Sequence, residues 1–283
     1  MATEQTTPAP PGLLGDTPQR DYGRKLGLFN AFAAPELRAL IGGLGLRPGQ
    51  RALDAGCGAG AATGWLATEV GPAGLAVGLD LSAAHARLAR AAAPAATGVV
   101  QADLAAAPLR PGSLDLVWCV NTINHLRDPL AGARRLAELL RPGGRLALGQ
   151  SHLLPEMVFA WDARLERAVT EANRAYYRAR YGLDERDTAA IRALVGLLRA
   201  AGLRDVRART VAIERVAPLA AADEAYLGEA LLRGYWGEPV RASLDPADRA
   251  ELERLADPAG PGYCLRRPDF HYVQTFTLVT GVL

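Results

Sequence analysis

Residues Arg51–Ala62 read R-A-L-D-A-G-C-G-A-G-A-A, and the fold of the chain is decided there. A short apolar run, Ala52-Leu53, ends in Asp54. Gly56, Gly58 and Gly60 follow at every second position, and a helical pattern then runs until Gly71-Pro72 stops it. An apolar run that passes through glycines into a helix is a strand–turn–helix unit. Such a turn brings bare backbone close to a ligand at the start of the helix, because each glycine removes a Cβ from the approach.

Two nucleotide-binding patterns fit this turn. The dinucleotide fingerprint G-x-G-x-x-G/A is met by Gly56, Gly58 and Ala61. The pattern D/E-x-G-x-G-x-G is met at every fixed position by Asp54, Gly56, Gly58 and Gly60. An acid two residues before the first glycine is out of place beside a pyrophosphate and well placed beside a cationic aminoacyl group. On these residues the loop resembles motif I of the class I S-adenosylmethionine (SAM)-dependent methyltransferases, which implies that Cys57 also meets the cofactor.

Downstream, Leu75–Asp80 reads as a second strand ending in an acid 26 residues after Asp54. A carboxylate there can accept both ribose hydroxyls of an adenosine group, an interaction of roughly 1.5–3 kcal/mol. NAD enzymes share this acid, so Asp80 leaves both cofactors open. Ser82 reads as the N-cap of a helix over Ala83–Ala93 that carries His85, near the adenosine but with no chemistry assigned. A third strand, Val99–Ala102, runs into Asp103-Leu104, where an acid can accept the adenine amino group and backbone can meet the ring nitrogen. This third acid favours SAM over a dinucleotide.

Asp103–Val117 resembles the methyltransferase pattern D-x-x-x-x-P-f-x-x-x-s-F-D-x-V. A fourth strand, Leu114–Val120, leads to Asn121-Thr122-Ile123-Asn124-His125, and Asp128-Pro129 starts a helix to Leu140. Leu139–Leu148 resembles the family's L-K-P-G-G turn and fifth strand, with Arg141 in the basic place. These four matches over Arg51–Gly149 cover the middle third of the chain and are most similar to the small-molecule branch, the ubiquinone and menaquinone biosynthesis type. The resemblance implies an α/β, Rossmann-like seven-stranded sheet with its last strand antiparallel. It implies SAM across the strand tips, held by Asp54, Gly56, Cys57, Gly58, Gly60, Asp80, Leu81, Asp103 and Leu104. Cys119 and Asn121, after the fourth strand, would line the methyl group, and Tyr22 and Lys25 on the N-terminal helices would lie over the cofactor. Tyr22 reads equally well as ordinary helix packing.

The motif [N/D/S]-P-P-[Y/F], used to methylate amide or adenine nitrogen, is replaced here by Asn121-Thr122-Ile123-Asn124. That argues against DNA adenine and glutamine as substrates. His125 is the leading candidate base, since an imidazole near pKa 6.5 suits an enol or phenol proton. His152 and His271 are alternates, and His125 also has a packing reading.

Around this middle third, residues 1–19 carry Thr, Pro and Gly and read as a mobile tail ahead of a single domain over 20–283. Residues 20–45 read as two helices, one marked by Leu26–Phe32 and one by Leu37–Ile41. Beyond Gly149 the spacing predicts helices at Asp162–Tyr181, Ile191–Gly202, Ala221–Arg233 and Asp245–Leu255. Strands are expected at Val206–Val216 and Tyr272–Val282. Two insertions, at 151–187 and 218–270, are expected to form an aromatic-rich lid over the strand tips.

The 283 residues suit one large α/β domain, and a net charge of +2 offers no field for nucleic acid or an anionic membrane. No apolar run reaches the roughly 18 residues that a membrane span needs. Three scattered cysteines suit a reducing cytoplasm rather than a disulfide framework or zinc site, and no cluster has metal-ligand spacing. The expectation is therefore a cytoplasmic enzyme, monomer or homodimer, using SAM to methylate oxygen or carbon of a small, largely apolar metabolite. The alanine- and arginine-rich composition associates it with bacterial secondary metabolism. The same pocket could instead serve a cyclisation or elimination with SAM as a bound cofactor, and a NAD-dependent oxidoreductase or a ligand-binding protein without activity are more distant readings.

Overall fold

The computed structural model describes residues 17–19, 21–94, 97–152, 157–182 and 191–283. The strands are β1 (Arg51–Ala55), β2 (Leu75–Asp80), β3 (Thr97–Gln101), β4 (Leu114–Val120), β5 (Leu140–His152), β6 (Arg204–Val216) and β7 (His271–Val282). They form one sheet in the order β3-β2-β1-β4-β5-β7-β6. β7 runs antiparallel to both neighbours, and the other adjacent pairs are parallel. The order reverses between β1 and β4, which opens a crevice at the carboxyl ends of these strands.

Successive strand residues face opposite sides, and each side has its own core. Trp118, Ala147 and Phe276 pack with α1 (Gly23–Gly42) and α2 (Ala61–Val70). Val117, Leu148 and Val279 pack on the other side with α4 (Pro129–Glu138) and α6 (Leu194–Ala200). This double coverage explains why β1, apart from Arg51, is buried throughout rather than alternating. α3 (Ala83–Ala92) is capped by the Ser82 hydroxyl, which accepts the His85 amide, and α4 by Asp128, which accepts the Ala131 amide.

The segment 20–45 holds one helix, not two. α1 runs unbroken through Pro35, whose missing amide costs a helix interior about 3 kcal/mol. Phe32, Ala33, Leu37, Leu40 and Ile41 form a buried stripe that spans the proline, so tertiary packing holds both halves in line. α4 stops at Glu138 because Leu140 already opens β5. β3 starts two residues earlier than its apolar run and ends at Gln101.

In the C-terminal part, α5 (Ala163–Tyr181) is capped by Asp162 and tied by the Arg164–Asp248 pair, at 2.6 Å, to α9 (Pro246–Ala256). The helix expected over Ala221–Arg233 is α7 (Ala221–Ala225) followed by a π-helix, Tyr226–Tyr235, and a short α8 (Glu238–Arg241) comes next. Their apolar residues, among them Leu165, Val169, Leu231, Trp236 and Leu252, join the core beneath α1. The expected tail at 1–16, and the parts of the first insertion at 153–156 and 183–187, lie outside the described residues. No helix among the described residues is long and apolar enough to cross a membrane.

Candidate functional site

A cavity of about 470 Å³ opens at the carboxyl ends of β1 to β4, and three acids from neighbouring strands line it. Asp54 is the most enclosed, 3% exposed, and its Oδ2 accepts the Thr63 hydroxyl at 2.7 Å. Burial pushes its carboxyl up to about 7, against the pull of the Thr63 hydrogen bond and with a smaller push from Asp80.

Asp80 sits at the tip of β2. Its Oδ2 accepts the Gly58 amide at 2.8 Å, and its Oδ1 accepts the Ser82 amide at 2.9 Å. Asp103, just past β3, caps a 3-10 turn by accepting the Ala105 amide, and it lines the cavity with Leu104. Leu81, Cys57 and Tyr22 complete this end.

The glycines of the turn answer mainly to protein neighbours. Gly56 has φ +80° and a Cβ on it would lie 2.2 Å from the Thr122 hydroxyl. A Cβ on Gly58 would meet Leu26 of α1, and one on Gly60 would meet Ala89 of α3. The sequence reading assigned that clearance to the cofactor. The turn is also a junction where α1, α3 and the loop after β4 close on β1. Gly60 lies outside the cavity wall.

Cys119 also departs from its expected place. It is fully buried in the core on the α4 side, its thiol pushed up to about 12 by burial, and it does not line the cavity. Alternation along β4 explains this, since Trp118 and Val120 point the other way and do line it. Asn121 lines the cavity in the left-handed region, at φ +50°. Its side chain is engaged by β5, with Oδ1 accepting the Ser151 amide at 2.8 Å and Nδ2 donating to the Ser151 hydroxyl at 3.1 Å. Asn tolerates this conformation better than most residues.

His125 ends a 3-10 turn, Ile123–His125, directly after β4, and faces the same cavity. His152 and His271 lie outside its wall, and His271 Nε2 contacts Glu214 at 2.7 Å. Lys25 is also absent from the wall and lies beside Gly234 of the π-helix.

Several residues that sequence reasoning missed complete the site. Phe29, Asn30 and Leu37 of α1, with Trp118 and Val120, line the same cavity as the acids, and Trp118 is the β4 neighbour of Asp54. Thr63, one turn into α2, faces back toward Asp54, a signal that a hydroxyl nine residues past a strand-end acid could have given. His85, which the sequence reading set near the adenosine without a role, lines the cavity with its Nδ1 at 3.2 Å from Asp80 Oδ1. Among the described residues the wall runs from Thr17 to Gly132, so the aromatic residues of the two insertions do not reach it.

Comparison with known proteins agrees with this geometry. A family described as a methyltransferase domain matches residues 53–148, from β1 to β5. The nocamycin O-methyltransferase of Saccharothrix syringae is 34% identical over 249 residues, covering 82% of this chain and 88% of that protein. An uncharacterized 37.1 kDa protein in transposon TN4556 of Streptomyces fradiae is 34% identical over 142 residues, or 49% of this chain. The present chain spans 39% of that protein's length. Among solved structures, the geranyl diphosphate C-methyltransferase of Streptomyces coelicolor A3(2), determined with S-adenosyl-L-homocysteine (SAH), superposes with a TM-score of 0.51. It is 16% identical and the match covers 98% of this chain and 90% of that one, a likeness of fold.

Proposed function

The chain belongs to the class I SAM-dependent methyltransferases, and from that footing we propose that it methylates oxygen or carbon of a small, largely apolar acceptor in bacterial secondary metabolism. The observation that supports this reading is one cavity lined both by Asp54, Asp80 and Asp103, which we assign to the cofactor, and by Phe29, Leu37, Trp118 and Val120, which we assign to the acceptor. Its volume suits a small-molecule site. The extended likeness to a protein named as an O-methyltransferase supports oxygen as the acceptor atom. Three buried free thiols suit a cytoplasmic setting, with the enzyme as monomer or homodimer.

SAM fits the residues present. Asp54 would take the aminoacyl ammonium, a cation that restores the charge burial suppresses. Gly60 carries no side chain to cap α2, so the first amides of that helix are oriented for the carboxylate. Asp80 would accept the ribose hydroxyls, and Asp103 with the Leu104 backbone the adenine edge. When bound, SAM supplies an electrophilic methyl group. What remains for the chain is to orient the acceptor, exclude water and remove a proton. On this reading the apolar side chains would serve the first two tasks, and His125, which follows β4 and lines the cavity, would serve the third.

The test is incubation with SAM and a panel of phenols, carboxylic acids and β-dicarbonyl compounds bearing apolar groups, read by mass spectrometry. Methylated product with equimolar SAH is expected; product without SAH would overturn the methylation reading in favour of cyclisation or elimination. His125→Gln should lower kcat by about 10²- to 10⁴-fold while SAM affinity stays unchanged. Unaltered turnover would remove His125 from the mechanism.

A further inference from the structure

His85 is 5% exposed, lines the cavity, and touches both the ribose acid and the N-terminal segment. Its Nε2 accepts the Tyr22 backbone amide at 2.9 Å. That fixes the tautomer, since a nitrogen that accepts carries no proton, so the hydrogen sits on Nδ1 and is donated to Asp80 Oδ1 at 3.2 Å. The imidazole stacks against the Tyr22 ring, with centroids 5.7 Å apart and planes 27° from parallel. Asp21 lies 4.0 Å from Nε2 and accepts the Gly23 amide at 2.7 Å.

The segment ahead of α1 is fastened to α3 a second time. The Ala83 amide donates to the Pro18 carbonyl at 2.9 Å, and Thr17 reaches the cavity wall. Gly23 lies against Leu88 so closely that a Cβ would stand 2.3 Å from its Cδ1. From Tyr22 the chain enters α1, whose Leu26 closes over Gly58 and whose Phe29 and Asn30 line the cavity. One imidazole therefore joins Asp80 to the helix that carries part of the cavity wall.

We propose that His85 is a positioning residue that couples occupancy of the Asp80 subsite to the seating of the N-terminal segment and α1 over the cavity. The physical reason is cooperative hydrogen bonding. A ligand that fixes the Asp80 carboxylate fixes the Nδ1–H donor, and with it the Nε2 acceptor that holds Tyr22. Binding at Asp80 then orders that part of the wall. The inference rests on the reading of Asp80 as the ribose acceptor.

The experiment uses the full chain, SAH as ligand, and trypsin, for which the exposed Arg24 and Lys25 are cleavage sites next to Tyr22. In the wild type, saturating SAH is expected to slow cleavage there by at least tenfold. An asparagine amide can stand in for Nδ1 and a glutamine carbonyl for Nε2. His85→Asn should therefore keep SAH affinity within about threefold and lose the protection. His85→Gln, which keeps an acceptor for the Tyr22 amide but loses the Nδ1 donor to Asp80, should be cleaved without ligand at about the wild-type rate, gain little protection from SAH, and bind SAH about tenfold more weakly. Circular dichroism and thermal melting confirm that each variant is folded. Protection of His85→Asn equal to that of the wild type would overturn the coupling. Asp80→Ala is the separate control: unchanged SAH affinity in that variant overturns the ribose reading itself, whereas weakened affinity with intact protection in His85→Asn overturns the coupling alone.

Discussion

Asp54 shows how far a single residue can be read. Its position, two residues before the first glycine, gave its partner's charge, but its own charge state is a property of the folded protein. Enclosure by β1, α2 and the turn raises its carboxyl to about 7 from an ordinary value of 3.8. In the unfolded chain the group ionises near 3.8, so between there and about 7 the folded state holds more protons, and stability falls as pH rises through that window. Ligand binding has the opposite slope. A bound ammonium favours the carboxylate, so binding below about pH 7 releases a proton and SAM affinity rises with pH, by up to about tenfold per unit, before levelling off. Calorimetry in buffers of different ionisation enthalpy reads that proton directly. Asp54→Asn should bind more weakly with no such release, and a wild-type affinity that is flat across the window would contradict the assignment. Cys119 and Gly60 stand outside the cavity wall for a related reason. Strand alternation and helix–helix contact set which way a position faces, and a motif records only that the position belongs to the site.

At the scale of elements, the middle third was legible almost to the residue. β1, β2 and β4 begin and end where the apolar runs do, because buried parallel strands between helices leave continuous apolar stretches bounded by turn residues. α1 was split in the reading because Pro35 is a local signal, whereas the stripe from Phe32 to Ile41 acts through tertiary packing. The π-helix over Tyr226–Tyr235 was invisible for a different reason. Apolar spacing reports a buried face, and the wider helical pitch leaves that face intact, with Leu227, Leu231 and Leu232 all inward. The glycine turn makes its own prediction. Gly56→Ala would push a Cβ into Thr122 and hold a side chain at φ +80°, so thermal or urea unfolding should show a loss of about 2–4 kcal/mol. Adding Thr122→Ala should recover only part of the steric loss, because the remaining Cβ would still stand 2.8 Å from the new one, and it leaves the roughly 1–2 kcal/mol that belongs to the left-handed backbone. A Gly56→Ala protein as stable as the wild type would mean that the junction between β1 and the loop after β4 is looser than described.

For the whole molecule, seven strands in the order β3-β2-β1-β4-β5-β7-β6 place three carboxylates around one crevice, and α1 with the segment before it completes the wall. The three acids were readable because each closes an apolar strand run, and all three line the one cavity. The apolar lining was not, because Phe29, Leu37, Trp118 and Val120 are ordinary core residues whose meeting depends on how a helix outside the motif crosses the sheet. The two insertions carry the core periodicity that predicted their helices, and their apolar faces are spent on the core beneath α1. The central claim is that SAM and its product bind where β1, β2 and β3 end. Titration calorimetry of SAH into the wild type and Asp80→Ala tests it most directly. The account predicts one site per chain in the wild type and an affinity about tenfold to a hundredfold weaker in the variant, as loss of a charge-assisted pair requires. No heat of binding in the wild type at millimolar SAH, or equal affinity in both proteins, would contradict it.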